Sequence, residues 1–184
     1  MIFIPQAIPD VLLIEPAVHN DKRGYFVETY KQKLLDEALG CQVNFIQDNE
    51  SKSTSKGVLR GLHFQSPPFT QNKLVRVING RVLDVVVDIR RGSLTFGRYV
   101  SVELSEKNKK QLFVPRGFAH GFVTLSDEVI FAYKVDAYYS AEHEEGIAYN
   151  DKDIDIDWHF SEKEIILSKA DQNYPNLSDS KKLF

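Results

Sequence analysis

Residues 57–89, GVLRGLHFQSPPFTQNKLVRVINGRVLDVVVDI, decide the fold. The stretch is rich in Val, Leu and Ile, and strands built from these residues pack their side chains into a core. It also contains Arg60, His63 and Lys73. A charged side chain on a buried strand is costly unless it is paired or used for chemistry. The stretch therefore predicts core strands that carry either ion pairs or a functional site.

The pattern on both sides of this stretch is almost entirely that of short strands. Residues 73–78 and 81–89 flank Asn79-Gly80, and Asn-Gly supplies the positive φ angles of a type I′ turn, so a β-hairpin is predicted here. Residues 19–26 and 51–56 are polar and are predicted to form a turn and a loop. Further strands are predicted at residues 11–15, 42–49, 99–104, 111–114, 121–125 and 129–136.

Only one convincing helix is predicted before residue 140. Residues 29–39 carry leucines at helical spacing, with Gly40 directly beyond them as a C-cap, and a last short element is predicted at residues 162–169. Many short strands with no interleaved helices point to an antiparallel sandwich or jelly roll. A chain of 184 residues fits one domain, so we expect a single all-β domain over residues 1–184 with a few short peripheral helices.

Composition and charge argue against several classes of partner. Lys and Arg total 23 against 26 Asp and Glu, a net charge of -3, which does not favour binding to nucleic acid. No apolar run approaches the roughly 20 residues needed to span a bilayer, and the N-terminus lacks a basic leader. Cys41 is the only cysteine, so no internal disulfide can form. We expect a soluble, cytoplasmic protein that binds neither nucleic acid nor membrane.

Two metal interpretations of the sequence fail on spacing. The acidic residues from Asp151 to Glu162 mimic an EF-hand loop, but Ile156 occupies the sixth position, where that loop needs Gly. His63 has no second histidine two residues on and no nearby carboxylate on its strand, so a first-row metal would lack its usual third protein ligand. We therefore expect no metal.

Several polar residues on predicted strands could act together, although each alone could be an ordinary core residue. His120 lies in PRGFAHGF (residues 115–122), a tight turn into a strand, and Tyr133 lies on the inward face of a strand. With His63, Lys73 and Arg60 they supply an imidazole, a phenol, an ammonium and a guanidinium, which suit proton transfer next to a carbonyl.

Strand alternation raises one difficulty for this interpretation. It places Arg60 and His63 on opposite faces of their strand, although both are wanted in one pocket. We predict a β-bulge at Gly61 that resets the register.

The segments GVLRGLHFQ, QNKLVRVINGRVLDVVVDIRRGSLTFG, LFVPRGFAHGF, AYYSAEHEEGI and YNDKDIDIDW resemble the dTDP-4-dehydrorhamnose 3,5-epimerase family of nucleotide-sugar epimerases. The similarity runs over nearly the whole chain, from DKRGYFVE to SKADQNYP. The resemblance implies a cupin-type jelly roll (a double-stranded β-helix), a homodimer, and catalysis that uses neither metal nor cofactor.

The resemblance also assigns roles to individual residues. His63 would be the base that removes the proton next to the 4-keto group, and Asp171 would hold its imidazole. Tyr133 would return a proton from the opposite face, and Lys73 would stabilise the enolate. The residues implied to bind the nucleotide sugar are Arg23, Glu28, Gln47, Asp48, Asn49, Arg60, His120, Tyr139, Glu144 and Lys169.

The leading substrate implied by the resemblance is dTDP-4-dehydro-6-deoxy-D-glucose, inverted at C3 and C5 on the way to a rhamnose nucleotide. An epimerase of C3 alone or C5 alone, or one that acts on a GDP-linked 4-keto heptose or hexose, could share the same base and acid. The alternative from a different class is a non-catalytic or metal-dependent cupin, such as a sugar-binding module or an oxygenase. The missing ligand set disfavours this last alternative.

Overall fold

Thirteen strands account for most of the regular structure in the computed structural model, which describes all residues 1–184. The strands are β1 (Ile2–Pro5), β2 (Leu12–Glu15), β3 (Val18–Asp21), β4 (Gly24–Val27), β5 (Gln47–Ser53), β6 (Leu59–Gln65), β7 (Lys73–Asn79), β8 (Arg81–Asp88), β9 (Tyr99–Ser105), β10 (Gln111–Val114), β11 (Phe118–Thr124), β12 (Val129–Val135) and β13 (Glu144–Gly146).

The strands form two antiparallel sheets and one separate hairpin. The first sheet has the order β1-β2-β10-β7-β12-β5, the second has the order β13-β6-β11-β8-β9, and β3 pairs only with β4. Except for β1–β2 and β8–β9, neighbours in each sheet come from distant parts of the sequence, as expected when a chain winds back and forth between two sheets. This arrangement confirms the predicted all-β jelly roll.

The helices are few, short and peripheral, as predicted. The single α-helix, α1 (Gln32–Leu39), begins three residues later than the sequence pattern indicates, and it ends at Gly40, whose φ of 68° is left-handed. Four short 3-10 helices follow the last long strand, at Ala141–His143, Glu162–Glu164, Asp171–Asn173 and Leu177–Asp179.

The main core lies between the two sheets. Val75, Val77 and Phe131 of the first sheet pack against Val86 and Phe122 of the second, and each of them is buried. These residues recur at every second position of their strands because successive side chains of a strand point to opposite faces.

The outer face of each sheet is also covered. Leu35 of α1 packs against Leu74 and Phe113 on the outer face of the first sheet. Trp158 and Leu177 of the C-terminal segment belong to the cluster on the outer face of the second. Strands covered on both faces need apolar residues at nearly every position, which explains why β8 is apolar from Val82 to Val87 except at Asp84.

The predicted hairpin over residues 73–89 is wrong. Strand β7 pairs with β10 and β12, whereas β8 pairs with β11 and β9, so the Asn79-Gly80 turn carries the chain from one sheet to the other. Gly80 has the positive φ that was predicted, 80°, and a Cβ there would lie 2.2 Å from the Glu128 carbonyl oxygen. Asn79 does not have a positive φ, so the predicted type I′ turn is wrong. Local turn chemistry fixes the reversal of the chain but not the partner of each strand.

Two polar segments are more regular than the sequence indicates. The strand predicted at residues 42–49 lies instead at Gln47–Ser53, so the predicted loop at 51–56 is half strand. The predicted polar turn at residues 19–26 is the β3–β4 hairpin. Both segments lie at a sheet edge or outside the sheets, where polar strands satisfy their backbone without entering the core.

None of the helices combines the length and apolar character needed to cross a membrane.

Candidate active site

A cleft of about 300 Å³ opens between the two sheets at one end of the sandwich. It brings together every predicted catalytic residue and three of the predicted binding residues. These are His63, Lys73, Tyr133 and Asp171, with Arg60, His120 and Glu144.

At the mouth of the cleft, His63 is held by Asp171. Its Nε2 lies 2.5 Å from Asp171 Oδ1, and Ser168 Oγ donates a 2.7 Å hydrogen bond to Asp171 Oδ2. Burial alone would raise the pKa of Asp171, but the bonds from His63 and Ser168 outweigh it and hold that pKa below its ordinary value. With Nε2 turned to an ionised carboxylate, Nδ1 is the ring nitrogen left to accept a proton.

The predicted bulge at Gly61 is confirmed. In the pairing of β6 with β11, His63 lies opposite His120 and Arg60 lies opposite Phe122, so β6 has one extra residue between these positions. Gly61 has a φ of 131°, and a Cβ there would lie 2.5 Å from the Gly121 Cα. The extra residue resets the alternation, and both Arg60 and His63 line the cleft.

A second histidine-carboxylate pair lies deeper in the cleft. His120 Nε2 is 3.0 Å from both carboxylate oxygens of Asp84, whose side chain is 0% exposed. Burial raises the pKa of Asp84, and His120 and Lys73 oppose that shift. Asp84 was missed by the sequence reasoning, although a carboxylate within the run LDVVVD was a signal, because a buried charge must be paired.

Lys73 reaches the cleft from the opposite sheet. Desolvation lowers its pKa to about 8, against the attraction of Asp84 and Glu144, which raises it. The ammonium is therefore charged at neutral pH and loses its charge as the pH rises through about 8.

Tyr133 lies on β12, on the wall that faces the His63 strand. Its pKa is raised by burial and by the charge of Glu144, with Arg60 opposing. A phenol that stays protonated can donate its proton. The cleft thus places an imidazole on one wall and a protonated phenol on the other.

The rim of the cleft is polar. Tyr139 Oη donates a 2.7 Å hydrogen bond to Glu144 Oε2, which raises the pKa of Tyr139. Gln47 Nε2 donates to Asn49 Oδ1 at 2.8 Å. Asp48 lies between them in the strand, so its side chain points to the opposite face, where it forms an ion pair with Lys134 at 2.8 Å. Gln47 and Asn49 therefore share the face of β5 that turns toward the cleft, and Asp48 points away from it.

Seven of the ten predicted binding residues do not line the cleft: Gln47, Asp48, Asn49 and Tyr139, described above, and Arg23, Glu28 and Lys169. Arg23 is at the tip of the exposed β3–β4 hairpin and pairs with Asp21 at 2.6 Å, and Glu28 pairs with Lys31 at 3.4 Å. Lys169 lies between Ser168 and Ala170, which both line the cleft, but its own side chain does not.

The residues of the cleft are not grouped as a metal centre. No three His, Cys, Asp or Glu side chains come together in a way that could hold a metal ion. The chemistry that the arrangement offers is acid-base chemistry on two facing walls with cationic donors between them.

Fold and cleft together define a cupin-type jelly roll arranged for proton transfer. The sequence model of dTDP-4-dehydrorhamnose 3,5-epimerase matches residues 5–179, and the chain belongs to this family.

Individual relatives agree with this assignment. The dTDP-4-dehydrorhamnose 3,5-epimerase of Shigella flexneri is 52% identical over 177 residues, 96% of each chain. The crystal structure of that enzyme from Elizabethkingia anophelis is 49% identical, has a TM-score of 0.93 and covers 97% of both chains. A dTDP-6-deoxy-D-glucose-3,5-epimerase from Legionella pneumophila, solved with dTDP-4-keto-L-rhamnose, is 47% identical with a TM-score of 0.93, over 97% of this chain and 94% of that one.

Proposed function

We propose that this protein converts dTDP-4-dehydro-6-deoxy-D-glucose into dTDP-4-dehydro-L-rhamnose by inverting C3 and C5. The observation that carries the proposal is the facing of the His63–Asp171 pair and the Tyr133 phenol across one cleft. The Legionella relative, which is solved with dTDP-4-keto-L-rhamnose, supports the choice of nucleotide and sugar over GDP-linked alternatives.

The first step is removal of a proton next to the ketone. The 4-keto group acidifies the hydrogens on C3 and C5, and the Nδ1 of His63 accepts one of them. Asp171 stabilises the imidazolium that forms and keeps Nε2 protonated, as a buried carboxylate does for a catalytic histidine. No oxidant is needed, because the electron pair of the broken C–H bond moves into the enolate.

The second requirement is stabilisation of the enolate oxygen. The Lys73 ammonium supplies positive charge from one sheet, and His120 faces it from the other. Because Asp84 holds Nε2 of His120, the Nδ1 side of that ring is left for the ligand. Donors fixed before the charge develops cost no reorganisation during the reaction.

The last step is delivery of a proton to the opposite face of the carbon. A base that returned its own proton would only regenerate the substrate, so inversion needs a second group on the other wall. Tyr133 fills this role, because its raised pKa keeps the phenol protonated at neutral pH. Arg60 suits the diphosphate, since its guanidinium can donate two parallel hydrogen bonds.

The active form is a homodimer in which each chain completes the other's site. Arg23 and Glu28 match family positions for the nucleotide, yet both lie outside the cleft of their own chain. A two-fold partner could bring them to the second cleft.

The chain folds as one domain over residues 1–184. The packing of Phe184 against the cluster on the second sheet supports this, because the last residue still contacts the same core.

Mixed dimers test this arrangement. Arg23→Ala and His63→Asn chains, each weakly active alone, should regain about a quarter of the wild-type activity when co-produced, because half of the dimers then hold one intact site. No recovery in purified mixed dimers would place both residues in the site of one chain.

A cytoplasmic location of the protein stays a prediction, which cell fractionation can check.

Proton exchange tests the reaction itself. Incubation with dTDP-, GDP- and CDP-linked 4-keto sugars in deuterated water, followed by proton NMR, should place deuterium at C3 and C5 of the dTDP sugar. Deuterium at one centre only would indicate an epimerase of that centre, and no incorporation with any of the sugars would reject an epimerase. The same experiment tests whether exchange proceeds without added metal or cofactor.

A further inference from the structure

Tyr174 lies against the base but has no part in the steps above. It follows the 3-10 helix Asp171–Asn173 and lines the cleft. Its ring meets the His63 imidazole edge to face, with ring centroids 5.6 Å apart and planes at 72°. Edge-to-face contact is a favoured arrangement of aromatic rings, so this contact can fix the orientation of the imidazole.

The position of the Tyr174 ring is set by a glycine directly beside the base. Gly146 of β13 lies opposite His63 in the pairing of β13 with β6. A Cβ at Gly146 would lie 2.5 Å from three carbons of the Tyr174 ring, so the ring occupies the space that any side chain there would fill. The Ala148 N–H donates to the Pro175 carbonyl at 2.8 Å and ties the two segments together.

The Tyr174 hydroxyl is a neutral donor near the rim. Burial and the nearby charges of Glu144 and Asp171 raise its pKa to about 12, so the phenol stays protonated at neutral pH. The same two carboxylates disfavour a phosphate beside it. A sugar hydroxyl, which can both donate and accept, is the ligand group that fits this position.

We propose that Tyr174 is a positioning residue for His63 and also a binding residue for the sugar. Its ring holds the imidazole in the plane that aims Nδ1 into the cleft and covers the His63–Asp171 pair, while its hydroxyl bonds a hydroxyl of the sugar. The proposal rests on the epimerase function for the identity of the ligand, whereas the contact with His63 is independent of it.

Two substitutions separate the ring from the hydroxyl. In Tyr174→Phe, the rate of deuterium incorporation at saturating dTDP sugar should stay within about twofold of wild type, and KM should rise roughly 3- to 10-fold. In Tyr174→Leu, the saturating rate should fall roughly 10-fold and the acid limb of its pH profile should move. Tyr149→Leu is the matched control, because Tyr149 is half-buried in the cluster on the outer face of the second sheet.

A titration of the histidine rings by ¹⁵N NMR, without substrate, keeps the test independent of the reaction. In Tyr174→Leu, the His63 signal should differ from wild type in its titration midpoint or its tautomer balance. In Tyr174→Phe, which keeps the ring, the His63 signal should match wild type. Wild-type rates, pH profile and His63 titration in the Leu variant would overturn the positioning role, and an unchanged KM in the Phe variant would overturn the sugar contact. If wild type exchanges no proton on any sugar, the epimerase function fails, while the titration still decides whether Tyr174 positions His63.

Discussion

His63–Asp171 and His120–Asp84 are the same pair of side chains in two different surroundings. The His63 side chain is 30% exposed, whereas His120 is 8% exposed and Asp84 is fully buried. Only the more exposed His63–Asp171 pair, the outer pair, can exchange a proton readily with ligand and solvent; His120–Asp84 is the inner pair. The inner pair is buried and hydrogen-bonded, and its His120 ring lines the cleft, where we propose that it donates to the enolate oxygen. Exposure, more than residue type, separates the proposed base from the proposed stabiliser.

The two pairs also form in different ways. His120 and Asp84 lie on neighbouring strands of one sheet, so the pairing of β8 with β11 brings them together. His63 and Asp171 are 108 residues apart, and their contact needs the C-terminal segment to dock on the second sheet. The His63–Asp171 pair is therefore complete only when the last part of the chain is in place.

The largest expected effect separates the two histidines. His63→Asn should lower the rate of proton exchange roughly a thousandfold, because a general base typically contributes a factor of that order. His120→Asn should cost roughly a hundredfold, the lower end of the effect of removing one oxyanion donor. Deuterium incorporation at saturating dTDP sugar measures both. Equal losses would remove the distinction between base and stabiliser.

Loss of the Asp171 carboxylate should lower the exchange rate more than loss of the Asp84 carboxylate, as for their partner histidines. Asp171→Asn should lower the exchange rate roughly a hundredfold, since the imidazolium loses its counter-charge and the preferred tautomer. Asp84→Asn should lower it roughly tenfold and cost about 1–3 kcal/mol of unfolding free energy, because a buried hydrogen-bond network is disturbed. Urea unfolding and single-turnover exchange measure the two quantities. A larger catalytic loss in Asp84→Asn would reverse the assignment of the pairs.

The smallest effect is a shift in the pH profile. The Lys73 ammonium should be needed for activity, so the rate should fall as the pH rises through about 8, where the charge is lost. The negative charge of Asp84 raises the pKa of Lys73. Asp84→Asn should therefore move this alkaline limb to lower pH, while Asp171→Asn should leave it in place. A limb that moves equally in both variants would show that it does not report on Lys73.

The candidate site was predictable where it depends on residue type along one strand. The apolar run with Arg60, His63 and Lys73 indicated buried strands that carry either ion pairs or a functional site, and the conflict in strand alternation predicted the bulge at Gly61. Strand alternation also indicated Tyr133, and resemblance to the family supplied Asp171 and the roles of both residues; the cleft contains both. Their roles stay predictions until the variants are measured.

Sequence by itself determined the class of fold, the end of α1 at Gly40 and the reversal of the chain at Gly80, because these depend on side-chain period and on local φ preferences. Only the tertiary structure decided that β7 and β8 belong to different sheets. It also decided that Asp84 faces His120 and that Tyr174 rests on Gly146 beside the base. These contacts join residues far apart in the chain, and their energies appear only when both sheets and the C-terminal segment pack together.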